Sequence, residues 1–127
     1  MVDKRPNSSD TLNYTLSTVV DALTMNGLTR WFISYGTLLG IVRDDSCIDG
    51  DDDIDICMHR GDYDKCKAVF GSIVDLGAWY KVPKNKVPKS FMRRERGKKT
   101  SPVDIYVCEV NENGDFKDDW ENVTWMS

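Results

Sequence analysis

"GTLLGIVRDDSCIDGDDDIDICM", residues 36–58, is the stretch that decides the fold. Its first part places Leu38, Leu39, Ile41 and Val42 at helical spacing, which predicts a short helix from Thr37. Its last six residues, 53–58, alternate acid and apolar side chains, as a half-buried strand does. Between the two, seven aspartates stand within positions 44–55. Crowded carboxylates repel one another, and beside an apolar run they call for a cation.

Outward from this stretch the chain alternates helix and strand. Ser9 or Asp10 is expected to cap a first helix, with Leu12, Leu16, Val19, Val20 and Leu23 as its apolar stripe and Gly27 as its stop. Residues 30–35, "RWFISY", are aromatic and β-branched and read as a buried strand broken by Gly36. After residues 53–58, a helix over 61–77 is expected, with Tyr63, Cys66, Val69, Phe70, Ile73 and Val74 on one face and Gly77 at its end. "AWYKVP" and "SFMRRER" read as strands, with a loop bounded by Pro83 and Pro88 between them and a turn at "GKKTSP" after. "PVDIYVCEV", residues 102–110, is a strong strand; "NENG" then turns the chain so that "DFKDDW" can pair back. The order is α-β-α-β-α-β-β-β, a mixed α/β (α+β) class with a central sheet flanked by helices.

Length and composition agree with this reading. The 127 residues suit a single domain, 1–127, with an ordinary 40% of hydrophobic residues. No apolar run reaches the roughly 20 residues of a membrane helix, and the N-terminus lacks the core of a signal peptide, so a cytoplasmic location is expected. Four cysteines without a C-x-x-C and a single histidine, His59, argue against zinc; the cysteines read as reduced and packed. Sequons at Asn7, Asn13 and Asn122 are taken as chance. Net charge is −4, yet residues 81–99 carry nine Lys and Arg with Glu95 the sole acid. An acidic cluster followed by a basic one suggests metal plus phosphate, although a solvated basic loop reads equally well. Without regular aromatic interleaving, that stretch does not read as a nucleic-acid surface.

Asp53 and Asp55 stand two apart on a strand and so share one face, about 6.5–7 Å apart at Cα. Ile54 and Ile56 occupy the other face and can anchor it in a core. Such a pair can hold one divalent cation, or two. Asp51 continues that face from the loop; Asp49 and Asp52 are weaker candidates. A calcium loop counted from Asp51 fails, because Ile56 stands where the EF-hand needs glycine and Asp62 where it uses glutamate. Gly36 and Gly40 do not make G-x-G-x-x-G, and no G-K-[ST] is present. Gly36-Thr37 at a strand-to-helix turn instead offers free N–H groups and a hydroxyl to phosphate oxygens. Asp104, a lone acid amid Val103, Ile105 and Val107, is the third acidic element.

These residues together resemble the nucleotidyltransferase superfamily, the DNA polymerase β-like fold, and more closely its LicD/fukutin family. The hallmark there is G-T-L-L-G-x-x-R, a spacer, then I-P-W-D-D-D-I-D. Gly36, Thr37, Leu38, Leu39, Gly40 and Arg43 fit its first part; Ile48, Asp51, Asp52, Asp53, Ile54 and Asp55 fit its second. Asp49 and Gly50 depart from its Pro and Trp. The resemblance implies a minimal nucleotidyltransferase fold and transfer of a phosphate-linked group, such as phosphocholine or phosphoribitol, from a nucleotide-diphosphate donor of the cytidine type to a glycan hydroxyl. It implies Mg²⁺ or Mn²⁺, one or two ions, on Asp53, Asp55 and Asp104, with Asp104 completing a second metal position or taking the acceptor's proton. Gly36 and Thr37 would hold the phosphates, and Arg43 would offset developing charge. Lys89, Arg93, Arg94 and Arg96 are further candidates for anionic ligands. Family domains run longer after the third acid, so the usual C-terminal acceptor-binding part is expected to be lacking, or supplied by a partner chain. Transfer of a whole nucleotide to a protein, RNA or small-molecule hydroxyl is the alternative activity, and a non-catalytic nucleotide- or metal-binding module the alternative class.

Overall fold

A computed structural model describes residues 3–86 and 89–126, so Pro88, expected to bound a loop, lies outside the described residues. The first helix, α1, runs Ser9–Met25. Its cap is Ser8 rather than Ser9 or Asp10: the Ser8 hydroxyl accepts from the Thr11 N–H at 3.1 Å. The chain leaves the helix through Asn26 and through Gly27 at φ 72°, where glycine carries no Cβ penalty. Strand β1, Trp31–Ile33, is shorter than the expected strand because Tyr35 already belongs to the next helix.

That helix, α2, spans Tyr35–Asp44, so Gly36 lies inside its first turn instead of breaking a strand. Tyr35 enters it at φ 49°, the left-handed region that bulky residues avoid. Its ring packs 4.7 Å from that of Tyr106 and 5.1 Å from that of Trp125, and its hydroxyl donates to buried Asp118. Those contacts hold the strained entry. Gly40 lets the helix back onto the loop that follows, since a Cβ there would stand 2.6 Å from the Ser46 carbonyl oxygen.

Strand β2, Ile54–His59, is followed by a 3₁₀ turn at Arg60–Asp62 and helix α3, Tyr63–Gly71. This helix ends well before Gly77, and Val74, expected on its buried stripe, is 91% exposed. Its last turn and the loop after it are held by Arg94, whose guanidinium donates to the carbonyls of Phe70, Ile73, Leu76 and Gly77. "AWYKVP" yields a single bridge, Trp79 to Arg94, in place of a strand. Strands β3, Phe91–Arg94, β4, Val103–Val110, and β5, Phe116–Asp118, match expectation; β6, Val123–Trp125, was not foreseen.

The sheet is mixed. β4 pairs in parallel with β2 along one edge; its other edge takes β3 and then β5, both antiparallel. β1 lies antiparallel to β2, and β6 antiparallel to β5. Alternation along β2 and β4 sorts the side chains onto two faces. Ile54, Ile56, Met58, Val103, Ile105 and Val107 pack under α1 and α3 as the main core. Asp55, Cys57, Asp104, Tyr106 and Cys108 point the other way. There the far end is aromatic: Phe32, Phe91, Tyr106, Phe116, Trp120 and Trp125 pack together, and a cavity of about 290 Å³ opens between Phe32, Leu38, Phe116 and Trp125. All four cysteines are buried and unpaired, and the amides of Asn7 and Asn13 are engaged in internal hydrogen bonds. Among the described residues no helix is long and apolar enough to cross a membrane.

Arg94→Met keeps the stem but leaves those carbonyls without their donors. It is expected to destabilise the fold by about 2–4 kcal/mol, read from the denaturation midpoint at unchanged slope.

Candidate active site

The site forms where β2 and β4 begin. Parallel pairing sets Asp55 directly opposite Asp104, and Asp53 stands two residues before Asp55 on the same face. The Ile54 N–H donates to the Pro102 carbonyl at 3.0 Å and locks this register at its start. Asp55 is pinned from the other side by the β1–α2 junction. Its N–H donates to the Thr37 hydroxyl at 2.9 Å, and its carbonyl accepts from the Ser34 N–H at 3.0 Å. Thr37 is therefore buried, with its hydroxyl fastening β2 to α2.

Asp53, Asp55 and Asp104 each present an oxygen within 4.8 Å of the others, and all three are buried. Burial, then the charges of Asp53 and Asp104, pushes Asp55 from 3.8 up to about 9. Burial and Asp53 push Asp104 up to about 8, with Arg93 working in the opposite sense. Asp53 is raised as well, burial again being the main cause. Three hard oxygen donors in this proximity suit a divalent ion of the magnesium or manganese kind.

The loop before β2 is also acidic. Oxygens of Asp51, Asp52 and Asp53 lie within 4.8 Å of one another, but Asp51 and Asp52 are half-buried. Asp51 packs against the first turn of α2: a Cβ on Gly36 would stand 2.8 Å from its Oδ2. Asp52 pairs with Lys4 at 3.4 Å. Asp49 accepts from the Ser9 N–H at 2.9 Å, at the start of α1. Asn7 ties the N-terminal segment down, its side chain donating to the carbonyls of Asp51 and Asp52 and its own carbonyl accepting from the Gly50 N–H.

The first turn of α2 faces this region. Ser34 at its N-cap makes no side-chain cap, so the N–H groups of Tyr35, Gly36 and Thr37 have no partner within the helix. Arg43 stands in the last turn of α2, about 10 Å along the axis from Gly36. Its guanidinium, 55% exposed, pairs with Asp44 at 2.8 Å.

The basic stretch divides in an unexpected way. Lys89 is exposed and lies over the Tyr63 ring, Arg94 supports the end of α3, and Arg96 binds Asp3 and Asn7. Arg93 alone of these four joins the triad, and its side chain is fully buried. Its Nη1 donates to Asp104 Oδ1 at 2.6 Å and Asp53 Oδ2 at 3.3 Å. Reading charge runs missed this role. The relation is a tertiary one: β3 runs antiparallel beside β4 and so sets Arg93 against Asp104.

Among curated proteins no match was found. A sequence model described as LicD/FKTN/FKRP, nucleotidyltransferase domain, matches residues 28–126. The match runs from just before β1 to the end of β6 and takes in Gly36, Thr37, Arg43, Asp53, Asp55 and Asp104, while α1 precedes it. The chain therefore belongs to the LicD/FKTN/FKRP family, through its nucleotidyltransferase domain.

Proposed function

We propose that this chain is a metal-dependent transferase. It would move a phosphate-linked group, of the phosphocholine or phosphoribitol kind, from a nucleotide-diphosphate donor to a glycan hydroxyl. The observation that carries the reading is the buried triad of Asp53, Asp55 and Asp104 beside the uncapped first turn of α2. Carboxylates so far from solvent are unfavourable unless a cation answers them. A family whose transfer chemistry runs on phosphates supplies the reason to keep them.

In this reading Asp53, Asp55 and Asp104 hold Mg²⁺ or Mn²⁺, which would neutralise and polarise the donor's phosphate oxygens. The N–H groups of Gly36 and Thr37 take phosphate oxygens at the positive end of α2. The Thr37 hydroxyl keeps Asp55 in place through the backbone of β2. Asp104 would either complete the metal site or take the proton of the attacking hydroxyl. Arg43, at the far end of α2, would meet a distal part of the ligand instead of the phosphates at Gly36. Phosphoryl transfer asks mainly for alignment and charge neutralisation, so no covalent nucleophile is required.

Asp55→Asn is expected to lower transfer at least about a hundredfold while thermal stability holds or rises, because a buried titrating acid becomes neutral. Incubation with CDP-choline or CDP-ribitol, Mn²⁺ and glycan acceptors checks this, with the released nucleotide identified. Nucleoside monophosphate supports the reading; pyrophosphate released from a nucleoside triphosphate would make the chain a nucleotide transferase instead. Unchanged turnover in the variant would remove the triad from the reaction.

A second expectation concerns pH. In chelator the folded chain holds Asp55 and Asp104 protons up to about pH 9 and 8, whereas the unfolded chain releases them near 3.8. The folded state thus binds more protons between those values, and this contribution to stability is full below the unfolded value and declines as pH rises. Denaturation from about pH 5 to 9 should show that decline, flattened in Asp55→Asn and opposed by added Mn²⁺.

A further inference from the structure

The triad already has one cation built into the fold. Arg93 is 0% exposed and held on every side of its guanidinium. Nη1 reaches Asp104 and Asp53, Nε lies 3.1 Å from Glu95 Oε1, and Nη2 donates to the Asp3 carbonyl at 2.9 Å. We propose that Arg93 is the resident counter-cation of this site, neutralising its Asp53–Asp104 side so that the triad takes one divalent ion, on the Asp55 side, instead of two. This rests on the metal reading above and deepens it.

Register makes the assignment. β4 carries Asp104 between two neighbours: Asp55 directly opposite on β2, and Arg93 directly opposite on β3. One edge of Asp104 therefore meets an acid and the other a guanidinium. The ion pairs of Arg93 go to Asp53, Asp104 and Glu95, and among the described residues none goes to Asp55. Asp55 is the acid left to a mobile cation. Charge points the same way: Arg93 offsets the Asp53–Asp104 side, and Asp55 has no ion pair of its own among the described residues. A lysine could swing away from such a site, but the planar fork of Arg93 is fixed by Asp104 on β4, Asp53 just before β2, Glu95 just after β3 and Asp3 in the N-terminal segment. Arg93 is thus a positioning residue for the metal site, apart from any contact with donor or acceptor.

The test counts ions in the absence of nucleotide. Mn²⁺ is titrated into the full chain and free Mn²⁺ is read by electron paramagnetic resonance, so no turnover is involved. Asp52→Asn serves as the background throughout, which takes the half-exposed Asp51–Asp52–Asp53 group out of the count. With Arg93 intact, one ion per chain is expected. Adding Arg93→Gln should admit a second ion or tighten the first by about tenfold or more. Arg93→Lys, which restores the charge without the fixed fork, should return the stoichiometry to one ion per chain; a purely packing role would not show this rescue. Two tight ions with Arg93 intact, or Arg93→Gln with unchanged binding, overturns the assignment while leaving the metal site standing. If Arg93→Gln does not fold, the ion count with Arg93 intact decides, and Arg93→Lys must match it. No Mn²⁺ bound to any form overturns the metal reading itself.

Discussion

Parallel pairing of β2 with β4 is the constraint on which the rest of this molecule depends. It sets Asp55 opposite Asp104 where neither meets much water, and Asp53 follows by strand alternation. Removing a carboxylate from water costs several kcal/mol even after relaxation. The surrounding structure offsets that cost from several directions. Isoleucine, methionine and valine on the opposite face anchor both strands under α1 and α3. The β1–α2 junction ties the backbone of Asp55 at both its N–H and its carbonyl. Arg93 answers two of the three charges. What remains unanswered is concentrated on Asp55, which has no ion pair among the described residues.

The second face of the sheet is therefore divided into two environments. Next to the acids lies Tyr106, whose ring leads into the aromatic cluster built by Tyr35, Phe32, Phe116 and Trp125. Tyr35 joins the halves: it starts α2 in a left-handed conformation, and its hydroxyl meets Asp118 at the end of β5. The first turn of α2, which has no side-chain cap, is thus positioned by the C-terminal hairpin as well as by β1. The N-terminal segment has a comparable supporting role. Asp3 and Asn7 connect Arg93, Arg96 and the acidic loop, so residues before the family match help to set the site within it.

Some of this was legible in the residues and some was not, for reasons that differ by element. Alternation at 53–58 and 102–110 revealed both central strands and the face of every acid, because a strand's side-chain period is independent of its surroundings. The caps were near misses: Ser8 and Ser9 are chemically identical, and which one caps depends on where the incoming chain is tied, here by Asn7 and Asp49. The third helix was drawn too long because Ile73 and Leu76 remain buried beyond its end, in a turn held by Arg94. β6 escaped notice because its three residues are partly or fully exposed and it is itself a three-residue edge strand, paired with β5.

The sequence by itself determined the fold class, the aspartates that converge and the family, because these rest on local periodicity and on a motif contained within about 20 neighbouring residues. The tertiary structure decided the work of the basic residues. Lys89, Arg93, Arg94 and Arg96 are close in sequence and alike in charge, yet one is exposed, one serves the triad, one supports α3 and one binds the N-terminal segment. A side chain's charge is written locally, but its partner is set by strand register and by which segments fold over it. For Arg93 that partner is Asp104 because β3 runs antiparallel beside β4, a relation that spacing along the chain does not specify.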